Sequence, residues 1–385
     1  MKKCLIILLI LVISSVTNVN ADTSKSSIVM ETSTGRILYE NNINEKRVIA
    51  SITKIMTAIL TIEKADLKDI VTVGDEILTM YGTNIYLEVG EKISVQDLLY
   101  GLILRSGNDA AIVLATYIGG SEENFVKMMN EKAKLLDMQN TYFQNSHGLD
   151  DYTENISTAH DMAKLSSYAE KNKTYKKIIG TKKYNTATEK KSYLWYNRNK
   201  LLSLYENCTG GKNGYTPKAG RTLITTAKKN NMELTIVTLN DNNEYDTHIE
   251  LYNKAYSKYK MYKIIDKNNF KISNELYEGE VKIKESFFYP LTKSEKKLVS
   301  TKVILDKAEK NILGHIKIEM NNDTIGIINI YKREIKKENQ TIFFKIKNYL
   351  LDILKKLKLG RQNNLNPGPL VPIPLEIKTW VSSNS

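Results

Sequence analysis

Cysteine is nearly missing from this 385-residue chain, which holds only Cys4 and Cys208. An internal disulfide is therefore impossible once the N-terminal segment is gone, and stability has to come from a packed core. The lone Cys208 reads as a small buried hydrophobe rather than a nucleophile. Histidine is scarce too: His147, His160, His248 and His315 are the full set, no two stand at metal-ligand spacing, and each reads as a loop or surface residue. No metal or cofactor is expected. No Gly-x-Ser-x-Gly elbow occurs, and nothing after the first apolar run is long enough to span a bilayer. With 42% hydrophobic and 26% charged residues, disorder, collagen-like and disulfide-dense scaffolds are excluded, and roughly two domains are expected.

What is present begins with a short basic start, Lys2-Lys3, an unbroken apolar run from Cys4 to Ile13, and small residues ending at Ala21. This pattern predicts a signal peptide over residues 1–21, with a retained N-terminal membrane anchor as the alternative reading, and hence an extracytoplasmic protein for which nucleic acid is not a partner. Ser26 to Glu40 reads as strand, turn, strand, and Ile52, Ile55, Met56, Ile59 and Leu60 form one helical face. Further helices are expected over Ser94–Leu104, Asp109–Ile118, Glu122–Leu136, Ala159–Lys171 and Tyr245–Lys258, and strands over Arg221–Thr226 and Glu233–Leu239. Strands at both ends of a helical middle predict an α+β domain, an antiparallel sheet with helices on it, over 22–260. A small β-rich domain follows over 261–335.

Residues 338–360 carry Ile342, Phe343, Ile346, Tyr349, Leu350, Ile353, Leu354 and Leu357 on one helical face and five lysines elsewhere. A basic amphipathic helix suits an anionic membrane surface, and the same pattern also suits a helix capping its own domain. A Pro-containing tail is expected over 361–385. The formal charge is +13; loss of residues 1–21 removes Lys2 and Lys3 and leaves +11, of which +7 lies in residues 331–385. The basic excess thus belongs mostly to the C-terminal helix region.

Three short motifs stand in one order: Ser51-Ile52-Thr53-Lys54, Ser106-Gly107-Asn108 and Lys212-Asn213-Gly214. Each spacing recurs elsewhere, as at Ser257/Lys260, Ser382/Asn384 and Lys358/Gly360. Context separates this set: Ser51 opens a strongly apolar helix, Ser106 sits between two helices, and Lys212 follows Gly210-Gly211 ahead of a strand. Ser51 and Lys54 at i, i+3 share a helix face, so the amine can approach the hydroxyl. A serine needs a base, and lysine serves if its pKa falls well below about 10.4. Burial, the helix N-terminus and a second cation such as Lys212 all favour that. Taken singly, Ser51 is also explained as an N-cap and Lys54 as a solvated helix lysine.

The constellation resembles the serine D-alanyl-D-alanine carboxypeptidases, the low-molecular-mass penicillin-binding proteins of peptidase family S11, with their S-x-x-K, S-x-N and K-T-G motifs. The match extends to Ala50–Thr57, Ser106–Ala111, Asn140–Leu149, Ser157–Ala163 and Gly211–Thr216. It implies a β-lactamase/transpeptidase-like catalytic domain, a second β domain and a membrane anchor. It also implies Ser51 as acylated nucleophile, Lys54 as base, Ser106 as proton relay, and Asn108, Lys212, Asn213, Gly214 and Tyr215 as substrate-binding residues. The implied partners are peptidoglycan stem peptides as substrates and β-lactams as covalent inhibitors, on the outer face of the cell membrane or in the wall. Asn213 replaces the usual Thr, a departure that bears on carboxylate binding. No arginine comes soon after the strand ending at Leu239, where some relatives supply a carboxylate clamp, and Arg198 and His248 read as structural. The alternatives are a catalytically weak wall-binding homologue and a class A-like β-lactamase, the latter opposed by the lack of a Glu-x-x-Leu-Asn segment between Asn108 and Lys212.

Overall fold

Along Ser26–Glu31 (β1) the side chains alternate between two apolar clusters, Ile28 and Met30 entering one and Val29 the other. That is period-two alternation in a strand covered on both faces. Ile37–Asn41 (β2) pairs back on it. After them the computed structural model, which describes residues 22–270, 272, 281–309, 312–332, 346–347 and 349–353, enters a helical region.

Lys54–Lys64 (α1) buries its predicted face, with Ile55, Met56, Ile59 and Leu60 at most 2% exposed. Val95–Tyr100 (α2) runs on into a π-type turn at Gly101–Arg105, ending at Ser106. Asn108–Gly119 (α3), Glu122–Leu135 (α4) and Ala159–Ala169 (α5) follow the expected spans within a residue or two. Side-chain caps at Ser94, Ser121 and Thr158 accept the N–H three residues on and fix where α2, α4 and α5 begin. The elements not foreseen include the helix Lys173–Gly180 (α6) and the hairpin Lys183–Ala187 (β3) with Ser192–Tyr196 (β4).

The sheet is completed by Cys208–Thr216 (β5), Gly220–Lys229 (β6) and Met232–Leu239 (β7), in the antiparallel order β2-β1-β7-β6-β5. The turn joining β6 and β7 places Asn230 and Asn231 at φ 50° and 63°, which a two-residue hairpin turn of this hand requires. Glu244–Lys258 (α7) covers one face through Leu251, Tyr252 and Ala255, and α1 and α5 cover the other. Lys212 does not precede a strand, as its glycines suggested; it lies within β5.

The chain divides into two compact units, the larger formed by residues up to 269 with 285–304 and 315–328, the smaller by 270–284, 305–314 and residues from 329 on. In the larger, Lys260–Ile265 (β8) pairs with Phe287–Leu291 (β10). Val281–Ile283 (β9), Val299–Glu309 (β11), Ile312–Met320 (β12) and Asp323–Lys332 (β13) form a sheet in the order β9-β13-β12-β11. Asn321 and Asn322, at φ 53° and 72°, repeat the turn chemistry of the first hairpin. In the smaller unit Ile346, Lys347 and Tyr349–Ile353 are helical and exposed. The expected signal peptide, the tail and most of the helix expected over 338–360 fall outside the described residues. Among the described residues no helix is long and apolar enough to cross a membrane.

Candidate active site

Ser51 lies in a tight turn, Ala50–Thr53, that leads into α1, and Ala50 is held at φ 48°. Two glycines make this turn possible. A Cβ on Gly148 would lie 2.0 Å from the Ala50 carbonyl oxygen, and one on Gly214 would lie 2.8 Å from the Ser51 nitrogen. Main chain therefore passes against the serine backbone from both sides. On the far side Thr222 Oγ1 donates to the Ile49 carbonyl at 3.2 Å.

Lys54 is fully buried at the start of α1, so it is no solvated helix lysine. Its Nζ lies 3.1 Å from Ser51 Oγ and donates to Asn108 Oδ1 at 2.7 Å and to the His147 carbonyl at 2.5 Å. Burial drives its pKa well below the ordinary lysine value; the cations Lys212 and Arg198 push the same way and Asp109 opposes them. Lys212 is also buried, reaches the Asn213 carbonyl at 2.6 Å, and is lowered to about 7 by burial and then by Arg198.

Ser106, buried, ends the π-type turn in the left-handed region at φ 66°. A non-glycine residue held there is strained backbone of the kind found at functional sites. Asn108 opens α3; besides accepting from Lys54, its Nδ2 donates to the Tyr81 carbonyl at 2.7 Å. Asp109 accepts from the backbone of Ile85, Leu87 and Ala110, which fixes the 81–88 segment beside the site. Ser51, Thr83, Ser106, Arg198, Asn213, Gly214 and Tyr215 line one cleft of about 130 Å³.

The three motifs thus come together, and two of the readings made from the sequence change. Arg198 is no remote structural residue: it lines the cleft, its Nη1 donating to Thr83 Oγ1 at 3.1 Å. Seven arginines against 49 lysines meant that each arginine was a choice over the default base, a signal available in the sequence. The histidines are not all on the surface. His248 is fully buried between Thr225 and Thr238 with its pKa near 3, and His147 is buried in the loop whose carbonyl holds Lys54. Cys208 is half-buried, its thiol pushed up to about 11 by burial.

Residues 14–243 match the family model described as D-alanyl-D-alanine carboxypeptidase, Peptidase S11. The chain belongs to this family. The curated D-alanyl-D-alanine carboxypeptidase DacF of Bacillus subtilis is 34% identical over 291 residues, 73% of each chain. Among solved structures, penicillin binding protein 5 from Haemophilus influenzae aligns at TM-score 0.69 and 25% identity, covering 81% of this chain and 97% of its own. Penicillin binding protein 6B from Escherichia coli aligns at 0.65 and 27%, covering 80% and 95%. The chain is accordingly a serine-type D-alanyl-D-alanine carboxypeptidase with the α+β fold of the low-molecular-mass penicillin-binding proteins. Its family acts outside the cytoplasm on peptidoglycan peptides and binds β-lactams. The β-lactamase alternative falls away.

Proposed function

We propose that Ser51 attacks the carbonyl carbon of the penultimate D-alanine of a pentapeptide stem, with Lys54 as general base. The observation that carries this is the partner set of Lys54. A neutral amine has two N–H donors and one lone pair, and Asn108 Oδ1 and the His147 carbonyl can only accept. Both N–H bonds are thereby committed, and the lone pair is left for the Ser51 hydroxyl 3.1 Å away. Burial beside Lys212 and Arg198 keeps Lys54 in that neutral form.

As the C–N bond breaks, the serine proton passes from Lys54 through Ser106 and Lys212 to the nitrogen of the departing D-alanine. Water then hydrolyses the acyl-enzyme. The oxyanion would sit between the Ser51 and Tyr215 backbone N–H groups, where Gly214 brings β5 against the serine. The second Nδ2 proton of Asn108 is directed at the substrate amide carbonyl. Lys212, Arg198 and Asn213 favour the terminal carboxylate, with a carboxamide donor in the place of a hydroxyl.

We assign the signal peptide to 1–21, the catalytic domain to 22–260, a β domain to 261–335 and a membrane-surface helix to 338–360. The helix assignment is supported by Ile346, Tyr349, Leu350, Leu351 and Ile353, all helical and 38–70% exposed. The test of the site is labelling by a fluorescent penicillin with D-alanine release from diacetyl-lysyl-D-Ala-D-Ala. Both activities should vanish in Ser51→Ala, and a variant that still labels at the wild-type rate would remove Ser51 from the role.

A further inference from the structure

Asn155 lies outside the three motifs, in the loop before α5, and is 1% exposed. Its side chain makes five contacts. Nδ2 donates to Thr53 Oγ1 at 2.9 Å and to Asn145 through both its carbonyl oxygen and Oδ1 at 3.0 Å. Oδ1 accepts from the Gln144 and Asn145 backbone nitrogens at 2.7 and 3.1 Å. Its backbone carbonyl accepts from Ile49 N at 3.2 Å. One residue therefore holds the Ser51 turn at both ends, Ile49 and Thr53, and holds the loop on the other side of Lys54.

That loop delivers the carbonyl on which Lys54 depends. Asn145 Oδ1, itself fixed by Asn155, accepts from His147 N at 3.2 Å and Gly148 N at 2.6 Å. Thr57 Oγ1 on α1 donates to the Ser146 carbonyl at 2.6 Å, and Glu122 holds Ser146 through its N–H and hydroxyl. Resting on the assignment of Lys54 as base, we propose that Asn155 is a positioning residue for acylation: it locks the Ser51–Lys54 turn to the 144–148 loop, so that the His147 carbonyl orients the amine toward the serine.

The groups facing Lys54 are Lys212 from β5, Arg198 from the cleft rim, Asp109 from α3 and His147 from the loop itself. Burial outweighs them all, so a gap beside the loop that admits water relieves the main depression of Lys54 and raises its proton affinity. Asn155→Ala opens such a gap and frees the carbonyl. A misplacement of this order lowers acylation by up to about 100-fold.

The experiment measures the rate constant of acylation by a fluorescent penicillin across pH for the wild type, Asn155→Ala, Thr53→Val and Lys54→Ala. Rate constants are taken per reactive molecule, so loss of folded protein does not enter. In Asn155→Ala the rate should fall and its acid limb should move to higher pH. Thr53→Val, which removes one acceptor of Asn155 from the other side, should shift both in the same direction by less. An Asn155→Ala enzyme with the wild-type rate and limb overturns the positioning role. Failure of the underlying assignment is distinguishable: it appears as a wild-type profile in Lys54→Ala, whatever Asn155 does.

Discussion

Asn213 occupies the one motif position where this chain departs from its family's pattern. Its side chain lines the cleft beside Arg198, and in the proposed binding mode its carboxamide would meet the carboxylate end of the substrate. A threonine hydroxyl donates from a shorter, stiffer arm, and a better-placed hydrogen bond to a charged group is worth about 1.5–3 kcal/mol. Asn213→Thr is therefore expected to raise kcat/KM for D-alanine release by roughly ten-fold, mainly through a lower KM. Steady-state release assays decide it, and an unchanged or lower value would mean that the carboxamide already donates as well as a hydroxyl in this cleft.

At the scale of elements, the long helices and the central hairpin were legible because each repeats one signal several times. The apolar face of α1, the Asn230-Asn231 turn and the alternation in β12 all repeat a periodicity or a turn chemistry that needs no tertiary partner. The elements that escaped have their character set by neighbours. β5 reads Cys-Thr-Gly-Gly-Lys-Asn-Gly-Tyr-Thr, with poor strand formers from Gly210 to Gly214, and is a strand because β6 pairs with it and because glycine alone fits against Ser51. The same holds for the site. The motifs announced Ser51, Ser106 and Lys212, whereas Arg198, Tyr81 and Asn155 arrive from loops whose placement no local pattern encodes. The C-terminal helix is a claim at this scale too. Removing residues 338–385 should release the protein from anionic vesicles in a flotation assay, and unchanged partitioning would defeat the membrane assignment.

At the scale of the whole molecule, acids and bases are both buried among the described residues, and the bases carry a stability cost of their own. Lys54, Lys212, His147 and His248 are all buried with depressed proton affinity, Lys212 at about 7 and both histidines at about 3. A base depressed on folding binds fewer protons in the folded chain than in the unfolded one between its two pKa values, so stability rises with pH across that window. For Lys212 the window runs from about 7 to about 10.4. Lys212→Met should therefore stabilise the protein, and by more at pH 6.5 than at pH 9, as read by the difference in Tm from wild type at each pH. A pH-independent difference would show that folding does not depress the proton affinity of Lys212. The glycines on either side of Ser51 carry a consequence for selection under a covalent antibiotic. Narrowing the approach to the serine with a larger side chain is the cheapest escape, yet at 148 and 214 even a methyl group collides with the Ala50–Ser51 main chain. Substitutions that narrow the approach are left to the cleft lining at Thr83, Arg198, Asn213 and Tyr215.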